Sequence, residues 1–312
     1  MRARDRIWLT IFFAFGTIMW YETINGGSWQ VSMLVAVLMT LLALNEVFGD
    51  ARPFYVGLWS GAAFLSRYDL LVVCPLYFLL LLARHPSEQT VSNGLPRTAY
   101  RYALGVLPAI AVYIWFNEAR YGTWKDLGLI YYNPANGNTA LTTPPTLFAW
   151  RYFPGNFFTL FYMAPRLDAT FPYIHPLPGG QSILTTSPAF LLALRAKLWE
   201  RRNTDAMSDV PSESKSGGTV LRHAGMRPRS RGCHISDGGL IALMALLSAL
   251  PVLFYVGNGM TQFGARHFVE VFPFLTVLMA LGGELDQMAK ILIVTSVALI
   301  ALGILSIRWY GL

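Results

Sequence analysis

The apolar positions along this chain do not recur at a fixed spacing. They gather into long runs separated by short polar or glycine- and proline-rich breaks. A run of about twenty apolar residues is the length that spans the ~30 Å hydrocarbon core of a bilayer. Such runs must be helices, because lipid offers the backbone no hydrogen-bond partners. The segments lack the period-two alternation of a membrane barrel. The predicted spans are residues 7–20, 29–48, 102–116, 182–199, 238–256, 263–281 and 291–307. Residues 54–83 are too long for one span and are interrupted by Ser66, Arg67, Tyr68 and Asp69, so they predict two short helices meeting at a polar tip.

The stretch 117–181 is different in kind. It is rich in Tyr, Trp, Phe, Pro and Gly, and PTLFAWRYFPGNFFTLFYMAP (145–165) carries one charge, Arg151. That pattern predicts one or two short helices lying in the membrane interface, broken in the middle by Pro154-Gly155. A plain span broken at the same place is the alternative. Residues 200–237 carry Ser, Gly, Pro and many Arg without apolar periodicity, and predict a disordered basic linker. The fold class expected is therefore all-α, a polytopic transmembrane helix bundle with interfacial helices in a long external loop. It divides into a part at 1–199, with its external loop at 117–181, the linker at 200–237, and a three-helix part at 238–312.

Composition sharpens this reading. Of the 312 residues 54% are hydrophobic and 13% are charged, and the charged share is about half that of an ordinary soluble domain. The net charge of +7 does not point to nucleic acid. Its Lys and Arg sit at segment ends and in the linker, the distribution that positive-inside sorting produces. The N-terminus and residues 49–53, 84–101 and 200–237 are then cytoplasmic. Residues 7–20 follow a basic start and could be a signal peptide, but they end in the interfacial pair Trp20-Tyr21 without a small-residue cleavage site, which favours an uncleaved helix. Cys74 and Cys233 have no disulfide or metal-ligand spacing.

Chemistry is sought where ionisable residues break the positive-inside trend or sit at membrane depth. Arg266 and His267 open the segment 263–281 from the external side. Arg binds phosphate through a fork of donors, and a helix start there would add free N–H groups. The structural alternative is an arginine reaching lipid headgroups beside an interfacial histidine. Glu22, in the first external turn, could serve as a base or orient an acceptor hydroxyl, or be a solvated turn residue. Asp126 and Asp168 are weaker acid candidates, and Arg151 and Arg166 are further cations among aromatics. Arg67 and Asp69 predict an internal salt bridge that lets two short helices meet.

Three segments carry a family resemblance: GLWSGAAFLSRYDLLVVCPLYFLLLLAR (57–84), NEARYGTW (117–124) and QFGARHFVEVFPFL (262–275). Together with the first helix, short acidic turn and returning helix, they resemble the GT-C superfamily of membrane glycosyltransferases, in the group that includes family 39 and the polyprenyl-phosphate-mannose-dependent mannosyltransferases. The resemblance implies transfer of a sugar from a polyprenyl-phosphate carrier to a lipid, glycan or protein hydroxyl on the external face of a bacterial plasma membrane. It implies an inverting displacement with an acidic base, and stabilisation of the leaving phosphate by Arg266, with Arg151 and Arg166 as further cations. The family's signature acid lies in a large loop after its first helix. Here a short turn takes that place, so the chain is expected to begin two helices late, with Glu22 matching the second-turn acid and no residue carried over as primary base. No motif demands a cofactor, and assistance by a divalent cation stays open. A truncated carrier-binding or scaffolding relative, and a transporter or flippase, are the alternative functions.

Overall fold

A computed structural model of the chain describes residues 1–84, 97–124, 148–177, 180–201, 233–256 and 263–310. The first apolar segment is two helices rather than one. α1 (Ala3–Phe15) and α2 (Met19–Asn25) meet at an angle of 49°. The break follows from Gly16 and Thr17. The Gly16 N–H closes on Phe12 O at 2.7 Å, and the Thr17 hydroxyl donates to Phe13 O at 2.8 Å instead of leaving that turn to the backbone. α2 then runs past Glu22 and stops at Gly26, whose φ of +58° ends the helix in the left-handed conformation that glycine adopts freely. The expected external turn at Glu22 is thus a helix, and the turn is confined to Gly26-Gly27.

α3 (Ser28–Phe48) returns as a single helix of 21 residues. The two short helices expected over 54–83 are present as α4 (Pro53–Ser66) and α5 (Cys74–Arg84), joined by a 3-10 helix, Tyr68–Val73, that carries the polar tip. α6 (Arg97–Tyr121) crosses α4 closely enough to bring backbones together. A methyl group on Gly57 would strike Tyr102 O, and one on Gly105 would strike Phe54 O. Gly57 and Gly61 face Gly105 and Ala109 at matching four-residue intervals, the small-residue spacing by which helices pack where no water drives them together. A buried polar link strengthens the contact. Tyr102 Oη donates to Cys74 O at 2.6 Å and lies 3.1 Å from Ser60 Oγ.

The aromatic stretch gives one short α-helix, α7 (Phe153–Phe161), preceded by a 3-10 turn at Trp150–Tyr152. Pro154 and Gly155 start this helix instead of breaking it, since proline is tolerated in the first turn, where the N–H has no helical partner. β1 (Arg166–Leu167) and β2 (Ile174–His175) form a small antiparallel ribbon. The single span expected over 182–199 is not one helix. α8 (Ile183–Thr186) is followed by a 3-10 helix, Pro188–Arg195, too short to cross a bilayer as a regular span. The Ser187-Pro188 step separates them, and the Ala189 N–H is taken by Ser296 Oγ at 3.1 Å. β3 (Trp199–Arg201) pairs with β4 (Cys233–Ile235), so the two ends of the basic linker meet; residues 202–232 lie outside the described residues.

α9 (Asp237–Phe254) and α11 (Gln287–Tyr310) match the predicted spans. The segment 263–281 does not form one helix: a 3-10 helix, Arg266–Val271, leads into α10 (Phe272–Leu281). Pro273, at the start of α10, has no N–H to donate, so the chain tightens before it. α3, α6, α9 and α11 are each long and apolar enough to cross a membrane, and the bent α1–α2 pair makes up to five such spans. The chain is a helical, multi-pass membrane protein. One apolar core links the elements through aromatic contacts, with the Phe190 ring 4.9 Å from Phe12 and 4.7 Å from Phe272.

Candidate functional site

Three segments distant in sequence bring six ionisable side chains into one region. α2 supplies Glu22, the tip after α4 supplies Arg67 and Asp69, and the 3-10 helix before α10 supplies Arg266, His267 and Glu270. Arg67 Nε lies 2.8 Å from Glu270 Oε1 and 3.6 Å from Asp69 Oδ1. The Arg67 side chain is 17% exposed and that of Glu270 is 1% exposed. Neither Glu270 oxygen accepts a hydrogen bond from the described residues, so the short contact is an ion pair without a directed hydrogen bond. Glu22 is fully buried, and both of its carboxylate oxygens also lack a hydrogen-bond donor among the described residues. Arg266 stands within electrostatic range of Glu22, Glu22 within range of Glu270, and both guanidiniums within range of the His267 ring.

Local chain geometry explains how residues 266–270 come to face the tip. Gly264 has a φ of +107°, which a side-chain-bearing residue rarely adopts, and a Cβ there would sit 3.2 Å from Ile18. Gln181, itself buried, clamps this glycine from both sides. Its Oε1 accepts from Gly264 N at 3.0 Å, and its N–H donates to Gly264 O at 3.1 Å. Phe263 packs on Gly303 of α11, where a methyl group would overlap the ring. Behind the site, Asn156 Nδ2 donates to Val252 O, Leu253 O and Tyr255 O, the last at 2.7 Å. That clamp fixes the end of α9 and places the Tyr255 ring 6.0 Å from His267.

The structure unites three of the residues read from sequence, Glu22, Arg266 and His267, and places others elsewhere. Glu22 is not a solvated turn residue but a buried helical acid, because α2 extends to Gly26. Arg266 does not open an α-helix; it opens a six-residue 3-10 helix, and α10 begins only at Phe272. Arg151 is exposed beside α7, donating to Tyr152 Oη at 2.7 Å. Arg166 and Asp168 are exposed on and beside the β1–β2 ribbon, which packs against the end of α11 through His175 and Tyr310, with ring centroids 4.4 Å apart. Asp126 lies outside the described residues.

Arg67 and Glu270 are the residues that sequence reasoning failed to join. The salt bridge expected within the tip, to Asp69, is the longer of Arg67's two ion pairs. An acid in VEVFPFL and an arginine in FLSRYDLL each sit in a largely apolar segment, and intramembrane charges pair with one another. That rule was the available signal. Among the described residues no group of three or more His, Cys, Asp and Glu is arranged to hold a metal ion, so no ligand set is assigned to a divalent cation. No protein-family model, curated protein or solved structure matches the chain.

Proposed function

We propose that this chain is a membrane glycosyltransferase that takes a sugar from a polyprenyl-phosphate-linked donor on the external face and passes it to a hydroxyl of a lipid, glycan or protein. The observation that carries the reading is the burial of Glu22 within electrostatic range of Arg266. A buried carboxylate with no hydrogen-bond donor of its own stands in the field of a guanidinium. In the reaction, the acceptor hydroxyl gives its proton to an acid while its oxygen forms the new bond to the sugar. The bond from sugar to phosphate breaks, and the carrier phosphate leaves with the electron pair. A base is needed for the first event and a cation for the last. Glu22 takes the first role and Arg266, flanked by His267, the second. The exposed aromatic rings of Phe158 in α7 and of Tyr162 just after it supply a surface for the interface or the prenyl chain.

The test is transfer of labelled sugar from a polyprenyl-phosphate donor in membranes containing the chain. Wild type should transfer, and Glu22→Gln should lose transfer while still binding the carrier. Absence of both transfer and carrier binding in the wild type overturns the reading. Orientation is checked separately. In a background without Cys74 and Cys233, a cysteine at position 258 should react with an impermeant reagent applied to intact cells, and one at position 215 should not.

A second reading is favoured by the burial of Glu22, which presents no carboxylate surface to an acceptor in this arrangement. On that reading the chain binds the lipid carrier without turnover. Carrier binding together with no transfer to any acceptor would select it.

A further inference from the structure

Arg67 has no role in the function proposed above, yet the fold invests heavily in placing it. It is the residue at which α4 ends, with an extended backbone (φ −146°, ψ 104°) that turns the chain into the 3-10 helix. Its N–H donates to Ala63 O at 2.9 Å and its carbonyl accepts from Leu70 N at 3.0 Å, so both backbone groups are fixed. Both of its ion pairs, to Glu270 and to Asp69, make their closest approach through Nε. Nε makes no hydrogen bond to a described residue, so both contacts are ionic. Arg67 is also the second guanidinium in range of His267, the first being Arg266.

A buried carboxylate held against the Nε side of an arginine draws that side inward, and the remaining Nη fork matches two oxygens of a phosphate. Glu270 is suited to this work: it is 1% exposed, its oxygens carry no hydrogen bond among the described residues, and it is held by the same 3-10 helix as Arg266. Resting on the reading that this site handles a lipid-linked phosphate, we infer that Arg67 is a second phosphate contact beside Arg266, and that Glu270 is its positioning residue. Two guanidiniums favour the dianionic phosphomonoester of the departing carrier over the singly charged diester of the donor. Their contribution therefore grows along the reaction and helps the chemical step rather than binding alone.

The experiment compares binding of a polyprenyl phosphate with binding of the matching polyprenol, to purified full-length protein in lipid nanodiscs. The preference for phosphate over alcohol isolates the contacts to phosphate from those to the prenyl chain. Wild type should show a clear preference. Arg67→Ala should reduce it by about tenfold or more, the size of one lost charge-assisted contact. Arg67→Lys keeps a positive charge but not the fork, and should reduce the preference by a smaller factor while leaving polyprenol binding unchanged. Glu270→Gln should lower it too. If Glu270 merely neutralised Arg67, its removal would instead raise the preference, and that result overturns the positioning role. A wild-type preference that survives in both Arg67 variants overturns the phosphate contact, as does a loss that is equal for phosphate and alcohol. Lack of any preference in the wild type would reject the underlying function and not this assignment alone.

Discussion

Arg67 and Glu270 lie far apart in the sequence and meet at 2.8 Å, with Glu270 almost wholly enclosed. Taking two charges out of water is costly, and their mutual attraction offsets that cost only while both are present. Truncating one partner leaves the other buried and unpaired. Arg67→Ala or Glu270→Ala should each destabilise the protein by about 3 kcal/mol or more. Arg67→Met with Glu270→Leu should recover most of the loss in thermal melts of the purified protein, while carrier binding stays weak. A double variant as unstable as either single would show that the pair is not what holds these segments together.

The α4–α6 crossing is set by glycines, so it should tolerate nothing larger. Gly105→Ala places a methyl group against the Phe54 carbonyl, and Gly57→Ala places one against the Tyr102 carbonyl. Forcing helices apart in a packed interface costs about 1–3 kcal/mol. Gly155→Ala in α7 meets nothing within 4 Å and should be neutral or slightly stabilising. Parallel melting curves of the three variants give the check. Equal melting of all three would mean that the crossing relaxes without cost.

These cases show what was legible in the sequence. α3, α9 and α11 were readable because span length and lipid solvation leave one solution for twenty apolar residues. The paired short helices around Arg67 were readable because residues 54–83 are too long for one span and carry a costly polar interruption at 66–69. The α1–α2 bend was not, because its cause is the Thr17 hydroxyl bonding back to Phe13 O, a local competition invisible to hydropathy. The segments at 182–199 and 263–281 looked like spans because apolar content is the same in a 3-10 turn and an α-helix; only tertiary partners, such as Ser296 for Ala189 N, separate them. Glu22, Arg266 and His267 were found by the rarity of charge. Arg67 was joined only to its neighbour Asp69 and not to Glu270, since pairing across the chain is a property of packing.

Asn156 should matter more than its place in an aromatic stretch suggests. Its amide serves the carbonyls of Val252, Leu253 and Tyr255, at the end of α9 where intrahelical donors run out. Asn156→Ala leaves buried carbonyls without that donor, at a cost of about 1–3 kcal/mol. Asn156→Asp should be worse, because it sets a carboxylate against the same oxygens. Loosening Tyr255 also disturbs its packing beside His267, so carrier binding should fall in step with melting temperature. Unchanged melting in Asn156→Ala would show that α9 ends without this clamp.

Asp286 gives a pH prediction at a site outside the spans. It caps α11: its Oδ1 accepts from the Ala289 N–H at 2.8 Å, while Oδ2 lies 3.1 Å from Arg195 Nη2. The Ala289 hydrogen bond first, and then the Arg195 guanidinium, hold its carboxyl below the ordinary range. A depressed folded-state pKa means that the unfolded chain takes up the proton first. The stabilisation is therefore complete above the ordinary aspartate value of about 3.9 and is lost as pH falls through the lower folded value. Asp286→Ser keeps an N-cap oxygen but cannot titrate. Melting temperatures of wild type and Asp286→Ser should differ at neutral pH and converge as pH is lowered from about 5 to about 3. A difference that stays constant over that interval would mean that the Asp286 charge contributes nothing to holding α11 against the 188–195 segment.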